Sequence, residues 1–112
     1  MYYVTGKVVK GDGYGKKLGF PTVNLDIRCP SEIKIGVYAG TAEFDGKKYN
    51  AGIVIGPSSK VEAHLIGFSG DLYGIEISLE IKKFLREYKK FDTEEELKEQ
   101  IKKDLQVCKE VA

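Results

Sequence analysis

The chain has 112 residues, 42% of them hydrophobic and 31% charged, which suits one globular domain spanning 1–112 and built round one modest core. A net charge of +1 removes the electrostatic case for nucleic acid or an anionic membrane surface as partner, and no apolar run approaches the roughly 18–20 residues of a spanning helix. Cys29 and Cys108 are the only cysteines and read as free thiols. With no signal-peptide pattern at Met1-Tyr2-Tyr3-Val4, the expectation is a soluble cytoplasmic monomer.

Residues 2–10 (YYVTGKVVK) are rich in β-branched and aromatic residues and predict a strand. The stretch GYGKKLGFPTVNL at 13–25 then crowds glycines ahead of Pro21, where no helix easily begins. It is not a P-loop, because G-x-x-x-x-G-K-[ST] does not occur, and Gly11, Gly13, Gly15 and Gly19 have the wrong spacing for G-x-G-x-x-G. Strands are predicted again at 35–44 and 47–55, joined at Asp45-Gly46, whose glycine tolerates the positive φ of a tight hairpin. A fourth is expected at 60–68. A fifth, at 75–85, alternates Ile75, Ile77, Leu79 and Ile81 against Glu76, Ser78, Glu80 and Lys82, so it buries one side only. Thr93 and Glu96 form a capping box, and Leu97, Ile101, Leu105 and Cys108 then lie along one stripe of a helix. Five or six short antiparallel strands leave costly edges unless they close. The predicted fold is therefore all-β, a small closed Greek-key antiparallel barrel of about six strands with a C-terminal α-helix.

The ordered set Gly11-x-Gly13-x-Gly15, Leu18-Gly19-Phe20-Pro21-Thr22-x-Asn24-Leu25, Gly36-Val37-Tyr38-Ala39-Gly40, Val61-Glu62-Ala63-His64-Leu65, Asp71-Leu72-Tyr73-Gly74, Leu85-Arg86 and Lys90-Phe91 resembles the riboflavin kinase family along the whole chain. The resemblance implies a barrel that transfers the γ-phosphoryl of ATP to the ribityl 5′-hydroxyl of riboflavin, with Mg²⁺ or another divalent cation. These 112 residues leave no room for an adenylyltransferase domain of the kind many bacterial relatives carry in front, so FMN is the expected end product.

Such chemistry needs held phosphates, a held cation and a base aimed at the hydroxyl. Gly11, Gly13 and Gly15 suit a nest of backbone N–H groups round an anion, with Lys16 or Lys17 adding charge. By resemblance Thr22 and Asn24 supply the protein's oxygen ligands to the metal; in an extended segment they share a face. Glu62 is the implied catalytic base, with His64, Ile66 and Phe68 on its strand face, where apolar neighbours would raise its pKa. His64 reads as a packing or supporting residue. Arg86, Lys89 and Phe91 carry over as the flavin-covering segment, the planar guanidinium suiting an isoalloxazine, and Tyr73 is expected near the nucleotide. Three departures stand out: Tyr14 where the family commonly has Arg, Tyr88 where it has an acid, and a connection from Ile55 to Glu62 that is several residues short and lacks the usual Asn-x-Pro. Two rival readings are a non-catalytic flavin- or nucleotide-binding barrel and an oligonucleotide-binding barrel using its seven Tyr and five Phe, for which net charge +1 gives a poor groove.

Overall fold

The computed structural model of the chain describes residues 2–11 and 13–110. Six antiparallel strands, β1 (Tyr2–Val9), β2 (Val23–Arg28), β3 (Gly36–Phe44), β4 (Lys47–Ile55), β5 (Lys60–Leu65) and β6 (Glu76–Arg86), close a barrel in the order β1-β2-β5-β4-β3-β6. β3, β4 and β5 are joined by hairpins, and β2 returns beside β5, the Greek-key arrangement expected from the sequence. A one-turn helix α1 (Tyr14–Lys17) interrupts the β1–β2 connection, and the long helix α2 (Glu94–Cys108) follows β6.

The period-two patterns become the barrel wall. Inward-facing Ile53, Ile55, Val61, Ile77 and Leu79 are at most 1% exposed, and each contributes about 1.5–3 kcal/mol by leaving water. Phe44, Tyr49 and Phe68 pack ring on ring at 5.5–5.7 Å beside this core. The alternation of β6 holds through Ile81, after which register shifts against β3 between Val37 and Tyr38 and between Ala39 and Gly40 turn the strand's last residues. Such bulges re-aim side chains. Here they bring Arg86 opposite Val37, on the face that α2 covers.

The helix forms where its cap and stripe place it. Thr93 Oγ1 accepts from the Glu96 N–H at 3.2 Å, and Glu94, Glu95 and Glu96 sit at the positive end of the macrodipole. Leu105 and Cys108 lie over Gly52 of β4, whose missing side chain lets the helix approach. Asn50 Nδ2 donates to the Lys109 carbonyl at the far end.

Three expectations need correction. Residues 23–28, read only as an extended piece behind the glycines, are a full strand. The strand expected at 60–68 ends at Leu65, because the chain turns at Gly67, φ 85°, with the Phe68 N–H donating back to Leu65 O at 3.4 Å. The glycine stretch holds a helical turn after all, in which Lys17 and Leu18 donate back to Gly13 and Tyr14 at 3.1 Å each, with Leu18 buried as its anchor. Cys29 and Cys108 are free and buried, as expected.

Candidate active site

The β1–β2 connection folds over the start of β2, and close contact explains its glycines better than flexibility alone. Gly13 does need a left-handed backbone, φ 74°, to enter α1. Gly15 does not. A Cβ there would lie 2.6 Å from the Phe20 carbonyl oxygen and 3.3 Å from Thr22 Cγ2, and at Gly11 it would lie 2.2 Å from Asn24 Nδ2. Of the three glycines expected to form the nest only Gly13 is left-handed, and the turn lies directly on Thr22 and Asn24, pinned by the Phe20 N–H donating to Gly15 O at 2.8 Å.

Beneath it opens a groove of about 540 Å³ at the end of the barrel. Gly11, Gly13, Lys16, Thr22, Asn24 and Tyr73 all line it, while Gly15 stands behind Thr22 and Lys17 lies outside the lining. The opposite wall is the 68–74 connection. Asp71 Oδ1 accepts from the Tyr73 N–H at 2.8 Å, Leu72 plugs the barrel, and Gly74 donates to Val8 O at 2.9 Å, leaving Tyr73 59% exposed beside the groove it lines. A second groove, of about 360 Å³, shares Gly11 and Asn24 with the first and carries Lys10, Arg28 and Lys60. Asn24 stands on the border between the two.

Thr22 and Asn24 offer one hydroxyl and one amide oxygen to the larger groove, with no carboxylate beside them in its lining except Asp71. Among the described residues no group of three or more His, Cys, Asp or Glu is arranged to hold a metal by itself. This donor set fits Mg²⁺, which keeps several waters and takes the rest of its shell from phosphate oxygens.

Glu62 is half-buried on β5, directly opposite Asn24 of β2 on one side and Val54 of β4 on the other. Paired residues point to the same face, so Glu62 and Asn24 stand side by side. The apolar neighbours expected at Ile66 and Phe68 are absent from that face, since the chain has already turned and Phe68 packs on Phe44 and Tyr49. The short connection 56–60 closes tightly, with Ser59 N–H to Gly56 O at 3.1 Å and Gly56 N–H to Lys60 O at 2.9 Å, so Ile55 pairs at once with Val61 and the ladder through Glu62 is intact. His64 follows on the same face. Its Nδ1 lies 2.6 Å from the Pro21 carbonyl oxygen and its ring meets Phe20 edge-on at 6.2 Å.

Arg86 is not in either groove. Continuing the lateral row from Asn24 through Glu62, Val54 and Val37 reaches it after four strand spacings, about 19 Å along the barrel surface. Its guanidinium is held by Asp104 of α2: Nε donates to Oδ1 and Oδ2 at 3.1 Å each and a terminal nitrogen to Oδ2 at 2.8 Å, while Gln100 Nε2 donates to Oδ1 at 3.1 Å. Phe91 packs beneath, its ring centre 5.6 Å from the guanidinium carbon and 5.3 Å from Lys89 Nζ. The three residues expected to cover a flavin do gather, round the Phe91 ring, and Arg86 is held in addition by Asp104, a residue the sequence reading missed. Its signal was an acid set among Ile101, Leu105 and Cys108 on the helix's apolar stripe. Burial and the neighbouring Asp104 carboxylate push the Cys108 thiol up to about 11. Tyr14, the first departure, reaches Glu94 of α2 with its hydroxyl at 3.4 Å; desolvation and that carboxylate raise the phenol's pKa.

Residues 1–112, the whole chain, match the family described as Flavokinase: Riboflavin kinase. The chain belongs to the riboflavin kinase family. It is 35% identical over 116 residues to the bifunctional riboflavin kinase/FMN adenylyltransferase of Bacillus subtilis, covering 94% of this chain and 37% of that protein. Among solved structures, riboflavin kinase from Trypanosoma brucei superposes with a TM-score of 0.74 at 26% identity, covering 96% of this chain and 77% of that one. A chain from Streptococcus pneumoniae described as a macrolide-efflux protein superposes with a TM-score of 0.85 at 28% identity, covering 96% of this chain and 38% of that one. The chain thus spans little more than a third of the bifunctional relative's length, matching a riboflavin kinase domain within it. Among the described residues no helix is long and apolar enough to cross a membrane.

Proposed function

We propose that this riboflavin kinase-family domain transfers the γ-phosphoryl group of ATP to the 5′-hydroxyl of riboflavin, forming FMN and ADP. The observation that carries the reading is convergence: Gly11, Gly13, Lys16, Thr22, Asn24 and Tyr73, spread over sixty residues of sequence, line one groove, and Glu62 is paired with Asn24 at its border. ATP lies in the larger groove, its phosphates under the 11–17 turn near Lys16 and its base toward the exposed Tyr73 ring. Thr22 and Asn24 would hold the divalent cation, which would supply neutralisation of charge on the transferring phosphoryl.

Glu62 accepts the proton of the ribityl hydroxyl as its oxygen forms the new bond to phosphorus and the bond to the β-phosphate oxygen breaks. The flavin ring lies toward the segment 86–91, and the row of paired residues between Glu62 and Arg86, three strand spacings or about 14 Å, is long enough for a tricyclic ring and its ribityl chain. The Arg86 guanidinium is engaged by Asp104 through Nε and Nη2 and by the Glu87 carbonyl through Nη1, so its contribution is to fix that segment's shape, and Lys89 and Phe91 supply the cover. Incubation with riboflavin, Mg²⁺ and γ-labelled ATP tests the proposal. Label recovered in FMN is expected; flavin binding with no phosphorylated product would refute it in favour of a non-catalytic barrel.

A further inference from the structure

The ladder between β2 and β5 ends at Val23, paired with Ala63, although β5 runs on to Leu65. Pro21 has no N–H with which to prolong it. The carbonyl of Pro21 is nevertheless satisfied, by His64 Nδ1 at 2.6 Å. A carbonyl only accepts, so Nδ1 carries the hydrogen, and this is true of the neutral ring and the imidazolium alike. His64 extends past Thr22 by this bond, where backbone pairing has stopped. Phe20, the residue before, is fixed by its own N–H to Gly15 and by its edge contact with the imidazole.

We propose that His64 is a positioning residue for the metal–triphosphate site: its Nδ1–H ties the Pro21 carbonyl to β5 beyond the end of the backbone ladder and so aims the Thr22 hydroxyl, and with it Asn24, into the groove. The inference rests on the reading of that groove as the nucleotide site. It assigns His64 no proton transfer, since the bond survives in both protonation states. It also explains why a proline can stand immediately before a ligand residue without leaving that residue loose. Side chains that orient a metal's ligands from behind are worth about 10- to 100-fold in metal affinity or activity.

Isosteric variants separate this role from simple packing. In His64→Asn the Nδ2 group stands where Nδ1–H stood; in His64→Gln the amide nitrogen reaches only the Nε2 position. ADP binding is measured by calorimetry with and without Mg²⁺ for both variants and wild type, together with hydrogen exchange at the Thr22 and Val23 amides. His64→Asn is expected within about threefold of wild type. His64→Gln is expected to weaken Mg²⁺-dependent ADP binding about tenfold or more, to leave Mg²⁺-free binding and riboflavin KM unchanged, and to speed exchange at Thr22. Equal behaviour of the two variants, or a loss in His64→Gln that is the same without Mg²⁺, overturns the inference. A wild-type protein that binds no Mg–ADP overturns the groove's assignment instead, and the inference with it, while Thr22 exchange that differs between the variants would still uphold the His64–Pro21 bond as the tether.

Discussion

Asp104→Asn removes one charge from a pair whose side chains are only 22% (Arg86) and 10% (Asp104) exposed. Three Arg86 contacts of 2.8–3.1 Å depend on that carboxylate, and the asparagine retains one acceptor where there were two. Breaking one partner of a buried pair costs about 3–5 kcal/mol, because the other charge stays buried without compensation. The residual exposure of Arg86 and the retained acceptor place the expected loss near the lower end, about 3 kcal/mol. A domain of this size has a total of roughly 6–17 kcal/mol, so the variant stays folded at 25 °C but melts roughly 10–20 °C lower. Urea unfolding of Asp104→Asn, Arg86→Met and the double variant measures the coupling directly. The double variant should recover at least about 2 kcal/mol relative to the sum of the singles, while riboflavin KM stays raised because segment 86–91 has lost its anchor. A loss below about 0.5 kcal/mol for Asp104→Asn, or additive singles, would refute the reasoning.

Gly15→Ala puts a methyl group into the Phe20 carbonyl and against Thr22, so ATP KM should rise about tenfold or more with near-normal circular dichroism and riboflavin KM; an unchanged ATP KM would detach the turn from the nucleotide. Thr22→Val deletes an oxygen at nearly constant volume and should raise the Mg²⁺ concentration for half-maximal turnover, with flavin affinity preserved; equal losses for both would make Thr22 structural. For Cys108 the folded thiol sits near 11 against an ordinary 9.0, so the folded state holds its proton longer than the unfolded one, and stability present below pH 9 is lost as pH rises toward 11. Cys108→Ala should flatten that alkaline slope of the unfolding free energy, and an unaltered slope would contradict the assignment.

Much of the fold was legible because single residues decide it locally. Asp45-Gly46 sets the β3–β4 hairpin, the alternation through Ile77, Leu79 and Ile81 sets the buried face of β6, and Thr93 sets the start of α2. The pairing of Thr22 and Asn24 on one face followed from strand periodicity once the segment was read as extended. What stayed hidden depends on tertiary contact. β2 has its own alternation in Val23, Leu25 and Ile27, overshadowed by the glycines before it; α1 exists because Leu18 is buried, against the low helix propensity of its glycines. The Arg86–Asp104 pair joins residues brought together by two register shifts in β6, which no spacing in the sequence announces. Likewise, Glu62 was expected among apolar neighbours on its own strand, whereas its neighbours are cross-strand, Asn24 and Val54.

The central claim is that Glu62 accepts the ribityl proton in a phosphoryl transfer, and kcat for FMN formation by Glu62→Gln beside wild type tests it most directly. The glutamine preserves shape and hydrogen-bonding reach but not basicity. General-base assistance is worth about 10²- to 10⁴-fold, so kcat should fall by roughly that factor with both KM values nearly unchanged, since the proposed contacts to the nucleotide come from the groove and those to the flavin from segment 86–91. A folded Glu62→Gln variant that retains near-normal kcat would contradict the account and place the base elsewhere.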